Sequence, residues 1–454
     1  MSSHDYFSEQ PVAVIGMGKT GQSLVRFLQR RGIDCEGFDE HGVTLPDDLH
    51  VPLHTGKLKT ERLQGFRRIV VSPGVAWTHP ALVETRAAGI PMCGDLDLFC
   101  AYFEGELVAV TGTNGKTTTV TLIETLFDVL PGGIKAGGNI GTPMLDLLAD
   151  AMPKRVVLEL SSFQLERSSL VHPHWAVLLN IQPDHADAHE TPAAYAAAKF
   201  KLFEQQGRGD IALLPDAAEF DALADELRGR QIWVGRFGTT DKTAEEGRLI
   251  AGIELGNNQL FWNQRDHYEK LSLADLRLQG RHQHLNLAIA AQAAADAGIA
   301  ASVIREALTS FRGLPHRLQK VGHIANRDWY DDSKATNPDA AAAALASFDK
   351  VLWICGGLRK GLDLMPLKEP VMRHVAHAFV IGKEPEPYVQ LLESTGVKYQ
   401  VAKTIDRAVA MAADLPLTLP VLLSPAAASQ DQFKNYAERG DAFAGAVHAL
   451  EKAA

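Results

Sequence analysis

Short apolar runs alternate with amphipathic stretches from one end of the chain to the other, the pattern left by strands and helices wound into mainly parallel sheets. The first run, Pro11 to Ile15, turns through Gly16-Met-Gly-Lys-Thr-Gly21 into a helical pattern, with further runs at Cys35 to Phe38 and Arg68 to Val71. This unit closes near Met92, and a fresh strand, loop and helix begin at Leu107. Strands are predicted at Arg155 to Leu160, Trp175 to Ile181 and Ile211 to Leu214, and the more polar stretch 235–270 reads as a small antiparallel addition. Ala-rich helices, from Leu285 to Ala297 and on to Phe311, end at Gly313-Leu-Pro315, where the turn residues place a boundary. A third unit carries strands near Val321, Val351 to Cys355, Ala378 to Ile381 and Val421 to Ser424. No repeat of roughly 20 to 50 residues recurs, which argues against a solenoid.

Length supports the same division, since 454 residues exceed what one hydrophobic core usually sustains. Three α/β domains are expected, over 1–94, 95–313 and 314–454. With 46% hydrophobic and 22% charged residues the chain has enough apolar surface to fold and lacks the signature of disorder. Its formal charge of -10 is spread without a Lys/Arg-rich block, so no nucleic-acid partner is expected and anionic ligands must be met by local sites. Cys35, Cys93, Cys100 and Cys355 lie far apart without metal or disulfide spacing and are expected as buried thiols. The N-terminal residues lack a basic and apolar leader, and no window reaches about 18 uninterrupted apolar residues. No membrane insertion is expected, and the expected compartment is a reducing cytoplasm.

The chemistry starts at Thr111-Gly-Thr-Asn-Gly-Lys-Thr-Thr118, which follows a buried-looking strand and opens a helix. Glycines let backbone N–H groups approach a polyphosphate, the helix N-terminus favours its charge, and a lysine and a hydroxyl serve phosphate and Mg²⁺. The general phosphate-loop spacing asks for one more glycine at position 110, which is Val110 here. Gly16-x-Gly-x-x-Gly21 followed by Asp39 also fits a dinucleotide fingerprint, but the same turn can hold any diphosphate. Glu159 ends a buried-looking strand where open α/β sheets gather ligands, and suits Mg²⁺; the bland alternative is an edge-strand acid paired with an arginine. Asn180-Ile-Gln-Pro-Asp-His-Ala-Asp187 puts His185 on a loop at the same edge. Periodicity alone makes Lys199 a solvated helix lysine, and His282 and His284 a helix approach without zinc spacing. Three polar clusters follow strands of the third unit: Asp331 to Asn337, Gly356 to Gly361 and Ser424 to Tyr436. Hydroxyls and lysines gathered at strand ends suit a dianionic small substrate.

Together these motifs resemble the Mur ligases of peptidoglycan synthesis, in which the shortened loop Gly-Thr-Asn-Gly-Lys-Thr is typical, a loop that folylpolyglutamate synthases share. The combination Glu159-Leu-Ser-Ser-Phe-Gln164, Asp332 to Asn337 and Ser424 to Gly440 resembles the branch that adds D-glutamate, from Val12 to about Gly440. The resemblance implies a Rossmann-like N-terminal domain, a P-loop-type central ATPase and a Rossmann-like C-terminal domain. It implies ATP, two Mg²⁺ ions, and UDP-N-acetylmuramoyl-L-alanine and glutamate as substrates of a cytoplasmic monomer. Thr20, Asp39, Gly74, Asn139 and His185 would contact the UDP-sugar. Gly112, Thr113, Asn114, Gly115, Lys116, Thr117, Thr118, Asn286, Arg317 and Asp332 would hold ATP, with Lys116, His185, Lys199 and Arg317 in catalytic roles. Thr117, Glu159, His185 and a carbamylated Lys199 would face metal, and Lys334, Thr336, Lys360, Ser429 and Tyr436 the glutamate. The chain departs from the family pattern at Gln283, where Asn is typical, at Ala188, where Arg is usual, and at Tyr436, where Phe is common.

Overall fold

A computed structural model describes residues 11–139, 141–182, 191–244, 249–265, 267–278 and 280–453. Among these residues the first sheet is formed by β1 (Val12–Ile15), β2 (Cys35–Asp39), β3 (Leu53–Thr55), β4 (Arg68–Val71) and β5 (Met92–Gly94). All pair in parallel, in the order β3-β2-β1-β4-β5. Helices cover both faces of β1, so all four of its residues are buried and an uninterrupted apolar run results. The turn after it needs its glycines: Gly16 has φ 85°, and a Cβ at Gly21 would stand 1.9 Å from the Gly16 carbonyl oxygen.

The second sheet comprises β6 (Glu106–Thr111), β7 (Lys135–Gly138), β8 (Arg155–Glu159), β9 (Trp175–Leu178), β10 (Ile211–Pro215), β11 (Trp233–Thr240), β12 (Ala251–Glu254), β13 (Gln259–Gln264) and β14 (His267–Ser272). Their order is β14-β13-β12-β11-β10-β9-β6-β8-β7. β6 lies between β8 and β9, with Val110 opposite Glu159 and Thr111 opposite Leu178. That register brings the phosphate loop, the Glu159 carboxylate and the end of β9 to one sheet edge. The polar stretch proves to be an extension of this same sheet, in which β13 pairs antiparallel with both β12 and β14.

The third sheet consists of β15 (Gln319–Ile324), β16 (Arg327–Asp331), β17 (Val351–Cys355), β18 (Val375–Ile381), β19 (Lys398–Lys403) and β20 (Val421–Leu423), in the order β15-β16-β20-β17-β18-β19. Only the β15–β16 pair is antiparallel. Asn337 caps the helix Pro338–Leu345 by accepting from the Ala340 N–H at 2.8 Å, and Pro338 pre-sets the first turn. The cores differ in reach. One apolar cluster runs from Val12 and Leu24 through Phe99 to Leu107, Leu158, Leu178 and Leu214, and so joins the first two sheets. The third sheet has clusters of its own on its two faces, around Trp353 and around Trp329. Cys35, Cys93 and Cys355 are buried free thiols and Cys100 is half-buried.

Candidate active site

β6 delivers the chain into the phosphate loop, and the helix Lys116–Phe127 leaves it. Gly112 and Gly115 take φ values of 152° and 86°, and a Cβ at Gly115 would press to 2.7 Å from Asn286 Oδ1. Val110, standing where a longer loop would have glycine, is fully buried in β6. The loop is braced by Asn180, whose Oδ1 accepts from the N–H groups of Thr113 at 3.1 Å and Asn114 at 2.9 Å. Gln182 adds a bond from Asn114 Nδ2 at 2.9 Å. Lys116 Nζ folds over the loop and donates to the carbonyls of Gly112 at 2.7 Å and Thr113 at 2.8 Å.

A cavity of about 430 Å³ opens above the loop, between the second and third sheets. Thr113, Asn114, Gly115, Lys116, Thr117, Thr118, Asn139, Glu159 and Asn286 line it from one side, and Arg317, Asp332, Lys334, Thr336 and Lys360 from the other. At its centre Thr117 Oγ1 donates to Glu159 Oε2 at 2.9 Å and receives Arg317 Nη2 at 2.5 Å. Asn139 Nδ2 donates to Glu159 Oε1 at 3.1 Å. The edge-strand alternative for Glu159 falls, because β8 is flanked by β6 and β7 and the residue is 2% exposed.

Burial governs the electrostatics. It lowers the proton affinity of Arg317 against the pull of Glu159, Tyr436 and Asp332. It pushes the Asp332 carboxyl up to about 7, against hydrogen bonds from Ser424 Oγ and the Leu318 N–H. Lys334 is pushed down to about 8 by burial and by the like charge of Arg317, and its Nζ stands 4.0 Å from the Tyr436 ring centroid. His282 is pushed down to about 4, chiefly by burial at the start of the helix Arg281–Asp296.

Of the other described candidates, Gly112, Lys199, Ser429, Tyr436, Thr20, Asp39 and Gly74 do not line this cavity. Gly112 is beneath it, its carbonyl accepting from both Lys116 and Lys199. Lys199 corrects the reading from periodicity: it is 1% exposed, donates to Gly112 O at 3.0 Å and stands over the Tyr195 ring. Its helix packs against the helix Ser162–Glu166 and its amine reaches the loop, contacts that local sequence does not reveal. Ser429 is buried next to the cavity wall, and its Oγ has no partner among the described residues. Gln283 does line the cavity, and its buried carboxamide oxygen likewise has no partner among the described residues. Thr20, Asp39 and Gly74 gather at the C-terminal edge of the first sheet, where the Asp39 carboxylate accepts from the N–H groups of Met17 at 2.7 Å and His41 at 2.9 Å. His185 and Ala188 lie outside the described residues. Nothing in the sequence singles out Asn180 or Arg359 within their loops, yet both line the cavity. A single Asn at a strand end and an Arg in a glycine-rich turn carry no periodic signal.

A glycine-rich loop of phosphate-binding pattern at one sheet edge, faced across a cavity by arginine, lysine and hydroxyl groups from the third sheet's unit, is the arrangement expected of a multidomain ligase. The Mur ligase middle domain model matches residues 110–294, the MurD-like N-terminal domain model residues 10–94 and the Mur ligase glutamate ligase domain model residues 316–418. The chain belongs to the Mur ligase family. It is similar to the UDP-N-acetylmuramoylalanine--D-glutamate ligase of Pseudomonas aeruginosa, at 38% identity covering 96% of this chain and 97% of the relative. The ligases of the same name from Nitrosomonas europaea and Agrobacterium fabrum are each 34% identical and cover 98% of this chain, with 98% and 96% of their own lengths matched. Among solved structures, the MurF ligase of Thermotoga maritima in complex with ADP superposes with a TM-score of 0.59 at 19% identity, covering 100% of this chain and 97% of that one. The MurC ligase of the same organism gives a TM-score of 0.57 at 17% identity, covering 98% and 99%. These structures share the fold.

Proposed function

We propose that this enzyme joins D-glutamate to UDP-N-acetylmuramoyl-L-alanine at the expense of ATP, in the synthesis of peptidoglycan precursors. The observation that carries the reading is the Arg317–Thr117–Glu159 bridge, which links the loop hydroxyl and the sheet-edge carboxylate to a cation from the glutamate ligase domain. Full-length similarity to ligases of this name supports the substrate assignment over a folate-type or other Mur-type acceptor.

In this mechanism a carboxylate oxygen of the alanyl group attacks the γ-phosphorus of ATP and ADP leaves. The glutamate amine then attacks the carbonyl carbon of the acyl phosphate, and orthophosphate departs with one oxygen of the original carboxylate. The loop N–H groups and Lys116 hold the phosphates, and Arg317 neutralises charge as it builds on the transferred group. Asn286 and Asp332 contact the nucleotide, while Lys334, Thr336, Lys360, Ser429 and Tyr436 orient the amino acid. Thr20, Asp39, Gly74, Asn139 and His185 hold the UDP-sugar.

The donors fit Mg²⁺: the Thr117 hydroxyl and the Glu159 carboxylate are hard oxygens 2.9 Å apart. With these two protein oxygens in reach, the ion would be bound largely through substrate phosphates. When bound, Mg²⁺ supplies charge neutralisation at the β- and γ-phosphates. His185 and a carbamylated Lys199 would hold a second ion, the carbamate presenting an anion where the buried amine meets the loop. We take the enzyme to be cytoplasmic and monomeric, and light scattering of the purified protein checks the monomer; no helix among the described residues is long and apolar enough to cross a membrane.

Oxygen transfer tests the scheme. With ¹⁸O in the alanyl carboxylate, released phosphate should carry one label per turnover in a reaction that requires glutamate. Unlabelled phosphate would rule out the acyl phosphate.

A further inference from the structure

The segment from Glu159 to Arg167 touches two sites. Glu159 faces the phosphate loop, and Arg167, which ends the helix Ser162–Glu166, sends its side chain into the first domain. There Nη1 donates to the Ser72 carbonyl at 2.6 Å, and Nη2 to the carbonyls of Pro73 at 3.4 Å and Val75. These three carbonyls lie on the loop that follows β4 and carries Gly74. Ser72 extends the link, since its Oγ donates to the Gly16 carbonyl at 2.7 Å and so reaches the glycine turn after β1. Further along the loop, two guanidinium groups approach the Trp77 ring, Arg86 at 4.3 Å and Arg167 at 5.2 Å from its centroid.

The base of Arg167 is itself fixed. Gln164 Nε2 donates to Asp95 Oδ2 at 2.9 Å, and Asp97 Oδ1 accepts from Ser168 Oγ at 2.6 Å, Ser169 N at 2.9 Å and Leu170 N at 3.1 Å. Arg167 is 6% exposed. Burying a guanidinium is costly even with the Asp95 and Glu166 carboxylates near enough to favour its charge, and all of its hydrogen bonds named above go to neutral carbonyls. What the guanidinium provides, and an apolar side chain does not, is a planar fork that fixes several carbonyls of one loop at once.

We propose that Arg167 is a positioning residue for the UDP-sugar site: it holds the Ser72 to Trp77 loop and the glycine turn in register with the phosphate-loop edge. The inference rests on the reading that this loop binds the nucleotide sugar. One segment thereby sets the span between the place where the UDP end is held and the place where the far end reacts.

The full-length enzyme is compared with Arg167→Met and Arg167→Lys in steady-state kinetics, calorimetric titration with UDP-N-acetylmuramoyl-L-alanine and thermal melting. Loss of the fork should raise the KM and Kd for the nucleotide sugar by about tenfold, the cost of leaving buried carbonyls unpaired, while kcat and the ATP KM stay within about twofold. Arg167→Lys, which keeps the charge and loses the fork, should recover part of that affinity. An unchanged nucleotide-sugar KM and Kd in Arg167→Met, or an equal rise for ATP, overturns the proposal. Should Arg167→Met fail to melt cooperatively, Arg167→Lys decides: a selective rise in the sugar KM supports the role and a wild-type value refutes it. Hydrogen exchange of the wild-type enzyme separates the two levels. If the ligand leaves residues 72–77 unprotected, the reading of the site fails and the proposal with it. If it protects them while both variants bind normally, only the role of Arg167 fails.

Discussion

Lys116 and Lys334 carry the same charge under different conditions. Lys116 rests on carbonyls of its own loop, the place where polyphosphate oxygens would compete for it. Lys116→Ala should lower turnover by about a thousandfold, the scale of losing a preorganised charge at a reacting phosphoryl group, and leave UDP-sugar affinity within about twofold. Phosphate release together with calorimetry checks both parts; near-normal turnover would contradict the scheme. Lys334 is held down to about 8 by burial, so it is a cation below that pH and neutral above it. The kcat/KM for glutamate should therefore fall as pH rises through about 8, and the fall should be absent in Lys334→Arg, whose group stays charged. Coincident pH profiles of the two enzymes would refute this role. Lys116 was legible from its loop, because glycine spacing and a helix start constrain what a lysine there can do. Lys199 was not: helical periodicity makes it a surface lysine, whereas tertiary packing against the helix Ser162–Glu166 and the loop buries it. Asn180 braces a loop 66 residues upstream, a distance across which no local pattern reports.

At the scale of elements, the phosphate loop depends on backbone that side chains resist. Gly115 has a φ of 86°, with Asn286 pressed against its open side. Gly115→Ala should cost roughly 1 to 3 kcal/mol of strain and displace Asn286, lowering the melting temperature and weakening ADP binding by about tenfold or more. Wild-type values for both would show that the close approach does not matter. Strands and loops were readable because the parallel sheets leave apolar runs buried on both faces. Strand order was not, since β7 follows β6 in sequence but pairs with β8 at the sheet's edge. The polar stretch after β10 is antiparallel in part, as its sequence suggests, but its attachment to the existing sheet depends on β11 pairing with β12, which alternation alone cannot report.

For the whole molecule, the cores predict how it comes apart. A continuous cluster joins the first two sheets, and the third sheet packs on clusters of its own. Calorimetry of the ligand-free enzyme should resolve two transitions, one for the joined pair and one for the third unit. Phe99→Ala, in the shared cluster, should destabilise by roughly 3 to 5 kcal/mol and shift only the first of these units. Three transitions, or a shift in both, would contradict the shared core. The number of domains followed from chain length and the repeated restart of strand, loop and helix. The interfaces did not, because contacts such as Arg167 to Ser72 join residues 95 apart through tertiary packing.

The central claim is the reaction itself, and acceptor and amino-acid dependence tests it most directly. Phosphate release is measured with ATP, Mg²⁺ and UDP-N-acetylmuramoyl-L-alanine against a panel of D- and L-amino acids, with a folate acceptor in parallel. Release that requires the UDP-sugar and D-glutamate together is the predicted result; release only with L-glutamate, only with the folate, or without any amino acid would contradict it.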